Sequence, residues 1–259
     1  MTTSSEATYG LPPEKNLLTQ DEKARNRRKS ELVKHYTDLA NALINGTVSV
    51  DQFATEQTKR DLSNEAEAEH DPLTGLLNRR GFFNSFDEKL LGFRRVLHEL
   101  PEGQRLTPGC LVIVDLDNFG AVNKTHGDAF GDSTLQQVAI TLTDGVRPED
   151  PVSRFGGEEF LLFLLGAKLE DAVRVVERIR TTLPEDTAES LDGFRQTATF
   201  GVVQFPEGLT EKEVSIPKRR EAIFAQAYKD ASQSMRFAKA TGKNRVAVKK
   251  PGGMIEVVT

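Results

Sequence analysis

Residues 154–160, RFGGEEF, run directly into LLFLL, and this stretch most constrains what the chain can fold into. Two adjacent glycines stand between an arginine with an apolar neighbour and two adjacent acids. The pattern predicts a strand, a tight turn and a second strand (FLLFLL, 160–165) that is apolar throughout and therefore buried on both faces. Gly156 and Gly157 suit a turn that needs positive φ, or a backbone approached closely by a ligand. Glu158 and Glu159 then share the hairpin tip, where two like charges are costly unless a cation or donor satisfies them. An isolated GGEE would read as a solvated acidic turn, but a second acidic strand end lies upstream.

That second end closes CLVIVDLD (110–117), a buried strand ending in Asp115 and Asp117. If the two strands are neighbours, Asp115 and Glu158 converge at one edge of the sheet. Carboxylates clustered in this way hold a hard divalent cation, normally Mg²⁺, which accepts one or two carboxylates plus substrate phosphates. Two such ions roughly 3.5–4 Å apart can activate an attacking hydroxyl and neutralise a leaving pyrophosphate. Backbone amides after Asp117, at the start of a helix, add an anion site for phosphates. Lys239 or Lys243, in AKATGKNR, can supply a nearby cation. No G-x-x-x-x-G-K-[ST] loop occurs, which excludes a P-loop NTPase.

The remainder of the chain gives this pair of strand ends a setting. The 259 residues carry a net charge of −5, which argues against a nucleic-acid backbone binder. The one cysteine, Cys110, sits at a buried strand start, so it reads as a small apolar residue in a reducing compartment, with no disulfide framework. No apolar run is long enough to span a membrane and no leader pattern opens the chain, so a soluble, cytoplasmic protein is expected. Residues 1–18 read as disordered. Residues 19–70 read as a helical segment for dimerisation, partner docking or signal relay, with the basic RNRRK (25–29) on a solvated helix face. From Asp71 the character changes: DPLTGLLNRRGFF predicts a turn and a helix from Arg79 through Leu100. After strand 110–117 come a helix with Phe119 and Val122, a glycine-punctuated turn at 126–132, and a helix from near Ser133. The hairpin follows, then a helix at 170–183, a strand at 195–205, a variable loop, a helix at 220–240 and a final strand within 241–249. This order predicts an α/β (α+β) sandwich, a mixed sheet with helices on one or both faces, preceded by the N-terminal helical segment.

DLDNFGAVNKTHGDAFGDSTL, RFGGEEF, TATFGVV and AKATGKNRV, preceded by DPLTGLLNRRGF, together resemble the GGDEF family of diguanylate cyclases in order and spacing. The resemblance covers residues 71–250 and leaves 251–259 as a tail. It implies a palm-like fold of the nucleotidyl-cyclase type. It also implies that two GTP condense to cyclic di-GMP and two pyrophosphates, each subunit of a homodimer presenting one GTP to the other. On the matched positions, Asp115, the backbone carbonyl of Leu116 and Glu158 would hold the metal, Mg²⁺ or Mn²⁺ in its place. Glu159 would orient or deprotonate the attacking hydroxyl. Asn123 and Asp132 would read the guanine edge, with Phe119, Gly156 and Gly157 lining the nucleotide. Lys239 and Lys243 would contact the triphosphate, Lys243 standing where arginine is more usual.

RPED (147–150) lies at the spacing of the family's inhibitory R-x-x-D motif, so Arg147 and Asp150 would bind the cyclic di-GMP product, with Arg178 as a secondary arginine. The chain departs from the family at Gly120, Lys124 and Asp128, and at Ser232 and Arg236, which replace a common aspartate and tyrosine. None of these is a metal ligand or guanine reader. The alternatives to an active cyclase are a weakly active or inactive domain serving as a cyclic di-GMP receptor, a cyclase making another cyclic dinucleotide, or a scaffold that docks a signalling partner through the N-terminal helices.

Overall fold

The computed structural model describes residues 68–99, 105–250 and 252–258. The chain divides into two units after Ser63, and every described residue belongs to the second. The expected disorder of residues 1–18, the helices and RNRRK cluster before residue 68, and part of the 101–109 loop lie outside the described residues.

Asn78 starts the first helix, α1 (Arg79–His98), by accepting from the amides of Arg80 and Gly81. The helix sets Phe82, Phe86, Leu90 and Phe93 on one buried face. The other elements follow as β1 (Gly109–Leu116), α2 (Phe119–His126), α3 (Asp128–Asp144), β2 (Val152–Arg154), β3 (Glu159–Leu165), α4 (Leu169–Ser190), β4 (Ala198–Gln204), α5 (Glu211–Ser215), α6 (Pro217–Ala240), β5 (Val246–Lys249) and β6 (Ile255–Val257). Among the described residues the strands form one sheet in the order β2-β3-β1-β4-β5-β6. Only the β4–β5 pair is parallel.

Strand alternation divides the core into two layers. Cys110, Val112, Val114 and Leu116 of β1 face a cluster with α2, α3 and α4, while Leu111 and Ile113 face α1, α5 and α6. Helices thus cover both faces, which is why β1 and β3 are apolar nearly throughout. The close approach of α6 to the sheet depends on Gly201, where an added Cβ would lie 2.1 Å from the Ala231 carbonyl.

Several boundaries differ from the sequence-based expectation. α3 begins at Asp128 rather than near Ser133, because Gly127 (φ 86°) alone reverses the chain between α2 and α3. α4 continues past Pro184 to Ser190, held by buried Leu183 and Thr187 on its inner face. The variable loop contains α5, opened by a capping box between Thr210 and Glu213. The 251–259 tail contributes β6, an edge strand antiparallel to β5.

Candidate active site

The register of β1 against β3 places Asp115 directly opposite Glu159. The Leu116 amide donates to the Glu158 carbonyl at 3.3 Å, so the two acidic strand ends are joined where the sheet stops. The hairpin tip closes through the amides of Phe155 and Gly156, both donating to the Glu159 carbonyl at 2.8 and 3.1 Å. Neither Gly156 nor Gly157 has positive φ, contrary to the first reason given for them. Small size counts at Gly156 and not at Gly157. A Cβ on Gly156 would stand 3.1 Å from the Glu159 carboxylate, and beside Gly157 the surface is open.

Arg154 braces this tip. Its Nε and Nη2 donate to the Gly157 carbonyl at 3.0 and 2.8 Å, and its Nη1 reaches the Asp71 carboxylate. Sequence reasoning assigned no role to either residue. The signal was the arginine that opens RFGGEEF, together with the aspartate that opens DPLTGLLN. On the other side of the tip, Phe155 packs on Phe82, Phe83 and Tyr228, and Arg79 lies 4.8 Å above its ring.

Three carboxylates, Asp115, Glu158 and Glu159, are answered here by one ammonium. Lys239, near the end of α6, pairs with Asp115. Burial pushes the Glu158 carboxyl above the ordinary glutamate range; the charges of Asp115 and Glu159 push the same way and Lys239 opposes them. A partly buried carboxylate beside two others, with one ammonium nearby, is a place that favours a divalent cation. Among the described residues no three or more acids, histidines or cysteines form a ready metal cage. Mg²⁺ needs none, because it binds through one or two carboxylates with waters and phosphates completing its shell. Asp115 and Glu158, joined at this sheet edge, are two carboxylates of the kind that requirement asks for.

Asp117, the second acid of the strand end, behaves differently. It is 4% exposed and accepts from Thr197 Oγ1 at 2.9 Å, Thr199 Oγ1 at 2.7 Å and the Asn244 amide at 2.9 Å. Lys243, next to Asn244, donates from Nζ to Asn118 Oδ1 at 2.5 Å.

The guanine-reading candidates lie along α2 and α3. Asn123 packs over Gly131, where an added Cβ would sit 1.8 Å from its Oδ1. That Oδ1 is buried and has no hydrogen-bond partner. Asp132 follows Gly131 and is exposed. Phe119 is in the core, 4% exposed, with its ring edge beneath Gly131.

The R-x-x-D residues lie at the opposite end of the sheet. Asp150 accepts from the Leu165 amide at 2.8 Å and the Arg147 amide at 3.2 Å. Leu165 ends the strand that Glu159 begins, so roughly 20 Å of β3 separates the two places. Arg147 is exposed, and Arg178 donates to the Gly145 carbonyl at 2.7 Å, which brings α4 to the same turn. Two sizeable clefts, about 760 and 590 Å³, lie at this end, the second lined by Phe93, Leu106 and Arg147. No described helix is long and apolar enough to cross a membrane.

Residues 68–245 match the family described as diguanylate cyclase, GGDEF domain. The probable diguanylate cyclase DgcT of Escherichia coli is 31% identical over 185 residues, covering 70% of this chain and 36% of its own length. The chain spans less than half the length of the curated relatives it matches. The diguanylate cyclase SiaD of Pseudomonas aeruginosa, solved with its activator SiaC, superposes with a TM-score of 0.56 at 27% identity, covering 88% of this chain and 79% of that one. The coiled coil and GGDEF domain of DgcB from Caulobacter crescentus, solved with c-di-GMP, gives 0.59 at 21% identity, covering 81% and 98%, and shares the fold.

Proposed function

The chain belongs to the GGDEF family of diguanylate cyclases, and from that premise we propose that it condenses two GTP into cyclic di-GMP and two pyrophosphates. The observation that supports this most is the β1–β3 register, which sets Asp115 against Glu159 with Glu158 beside them. Acids at that spot fit phosphoryl transfer from a polyanionic substrate, where catalysis is mainly positioning and charge neutralisation.

Asp115, the Leu116 carbonyl and Glu158 would hold a divalent cation, Mg²⁺ or Mn²⁺ in its place, which when bound supplies positive charge for the α-phosphate and the leaving pyrophosphate. Glu159 orients the attacking 3′-hydroxyl and accepts its proton. The 3′-oxygen forms a bond to the α-phosphorus of the opposite GTP, and the bond from that phosphorus to pyrophosphate breaks. A second, symmetry-related step closes the ring. Lys239 and Lys243 bind the triphosphate, so Lys239 exchanges its partner Asp115 for phosphate when substrate arrives. Asp132 accepts from guanine N1 and N2, donors that adenine lacks, and Asn123 brings a buried oxygen with no other partner. Phe119 supports this corner from below, and Gly156 and Gly157 let the nucleotide lie against the hairpin.

Each subunit of a homodimer holds one GTP, and the two sites face each other. Product inhibition acts through Arg147, which presents its guanidinium to the cyclic di-GMP phosphate or guanine. Asp150 keeps that turn in shape and Arg178 fastens it to α4.

The test is incubation of the purified chain with GTP and Mg²⁺, with chromatographic identification of products. Cyclic di-GMP with two pyrophosphates per molecule is expected. No product together with tight binding of added cyclic di-GMP would replace the enzyme with a receptor. A different cyclic dinucleotide from mixed nucleotides would overturn the role of Asp132.

A further inference from the structure

Four non-glycine residues among those described have left-handed backbone: Asn118 (φ 58°), Asp192 (φ 53°), Lys243 (φ 60°) and Asn244 (φ 43°). Such residues are strained and persist where their surroundings over-determine them. Three of the four meet around one buried carboxylate. Asn118 follows Asp117 in the chain, Asn244 donates its amide to Asp117 Oδ2 at 2.9 Å, and Lys243 reaches from this turn to Asn118 Oδ1 at 2.5 Å.

The Asp117 carboxylate is held by three hydrogen bonds. Its Oδ2 also accepts from Thr197 Oγ1 at 2.9 Å, its Oδ1 accepts from Thr199 Oγ1 at 2.7 Å, and its amide donates to the Thr197 carbonyl at 2.9 Å. These donors replace the water that a side chain buried this far has lost. Its geometry joins three pieces of chain: the end of β1, the start of β4 and the 243–244 turn after α6. The turn is held from its outer side as well, where Arg180 Nη1 donates to the Asn244 carbonyl and Oδ1 at 3.3 and 3.2 Å.

We propose that Asp117 is a positioning residue for phosphate binding: it fixes the left-handed Lys243–Asn244 turn against the end of β1 and thereby sets the reach of Lys243 toward the substrate triphosphate. This separates the two acids of the D-x-D strand end. Asp115 faces the substrate side and shares its charge with Lys239, whereas Asp117 faces inward and acts through Lys243. The proposal rests on the reading of Lys243 as a triphosphate contact.

The test is a double-mutant cycle on the full chain. Binding of guanosine 5′-(α,β-methylene)triphosphate with Mg²⁺ is measured by calorimetry, since this analogue cannot release pyrophosphate. Lys243→Ala should weaken binding about tenfold and Asp117→Ala about fivefold, whereas Asp117→Ala in the Lys243→Ala background should add less than about twofold. Asp117→Asn keeps an oxygen for the Asn244 amide and should stay within about twofold of wild type. If Asp117→Ala does not fold, Thr199→Val removes one donor isosterically and should weaken binding about twofold, again only while Lys243 is present. Independent, multiplicative losses would overturn the proposal, since Asp117 would then serve the fold generally. So would an Asp117→Asn variant as weak as Asp117→Ala, the pattern of a metal ligand. No loss with Lys243→Ala would instead remove the triphosphate contact on which the proposal stands.

Discussion

Arg154 and Asp71, 83 residues apart in sequence, form a two-point contact in which Arg154 Nη1 donates to both carboxylate oxygens, at 3.2 and 3.3 Å. The same guanidinium holds the Gly157 carbonyl with its other nitrogens, so one side chain links the Asp71 turn to the tip that carries Glu158 and Glu159. Both partners are mostly shielded, with side-chain exposures of 17% and 18%. Arg154→Ala leaves a half-buried carboxylate and an unpaired carbonyl, at a cost of about 2–3 kcal/mol. We expect a lower urea midpoint, and a kcat for cyclic di-GMP synthesis that falls by at least tenfold while GTP affinity changes less. Unchanged kcat would show that the tip holds its shape without the bridge.

The same contact gives the domain a defined sensitivity to acid. Burial alone would raise the Asp71 pKa, but hydrogen bonds from the Thr74 hydroxyl and amide and from Arg154, with the Arg154 charge, outweigh it and leave the carboxyl below its ordinary value of 3.8. A depressed carboxylate contributes stability that is fully present above the unfolded pKa and is lost as pH falls through the folded one. The stability difference between wild type and Asp71→Asn, measured by urea unfolding, should therefore be constant from pH 7 to about 5 and shrink below pH 4. A difference that persisted at pH 3 would mean that Asp71 contributes through shape alone.

Glu158 carries the opposite sign. Its pKa is raised, first by burial and then by Asp115, so in the absence of cation its ionised form opposes folding at neutral pH. Stability from such a group is present below the unfolded pKa and lost as pH rises through the folded one. Glu158→Gln should therefore raise the metal-free Tm at pH 7.5, with little effect near pH 4. The same variant should lose turnover and the Tm increase that Mg²⁺ with nucleotide gives the wild type. A fall in Tm at pH 7.5 would show that Glu158 is already satisfied by protein groups.

These contrasts explain what the sequence could and could not disclose. The apolar runs of β1 and β3 announced two buried strands, because periodicity reports burial directly, whereas their adjacency was only a condition that the pairing now meets. The expected convergence was of Asp115 with Glu158, whereas the register sets Asp115 opposite Glu159, with Glu158 one residue further on. Asp71 and Arg154 stayed unassigned because an ion pair across 83 residues leaves no local trace. Asp117 was grouped with Asp115 because alternation alone does not say that Thr197, Thr199 and Asn244 would each donate to it. α3 began earlier than expected because three glycine-flanked residues looked like a turn, while Gly127 alone supplied the reversal and Gly131 sat inside the helix against Asn123.

At the far end of β3, Arg147 and Asp150 should separate cleanly. Asp150 is 8% exposed and burial pushes its pKa up, while the Leu165 and Arg147 amides and the Arg147 charge counter that rise. Asp150→Ala leaves those two amides without their acceptor and should cost about 2–4 kcal/mol. Arg147 is exposed and its side chain makes no hydrogen bond or ion pair among the described residues, so Arg147→Ala should change stability by no more than about 0.5 kcal/mol. Assayed for synthesis against added cyclic di-GMP, Arg147→Ala should keep the initial rate and need at least tenfold more product for half-inhibition, with an unchanged Tm. Asp150→Ala should lose inhibition and several degrees of Tm together, since it acts by shaping the turn. Equal inhibition of wild type and Arg147→Ala would remove the product site from this end of the sheet. Loss of inhibition in Asp150→Ala at full Tm would make that carboxylate a direct ligand.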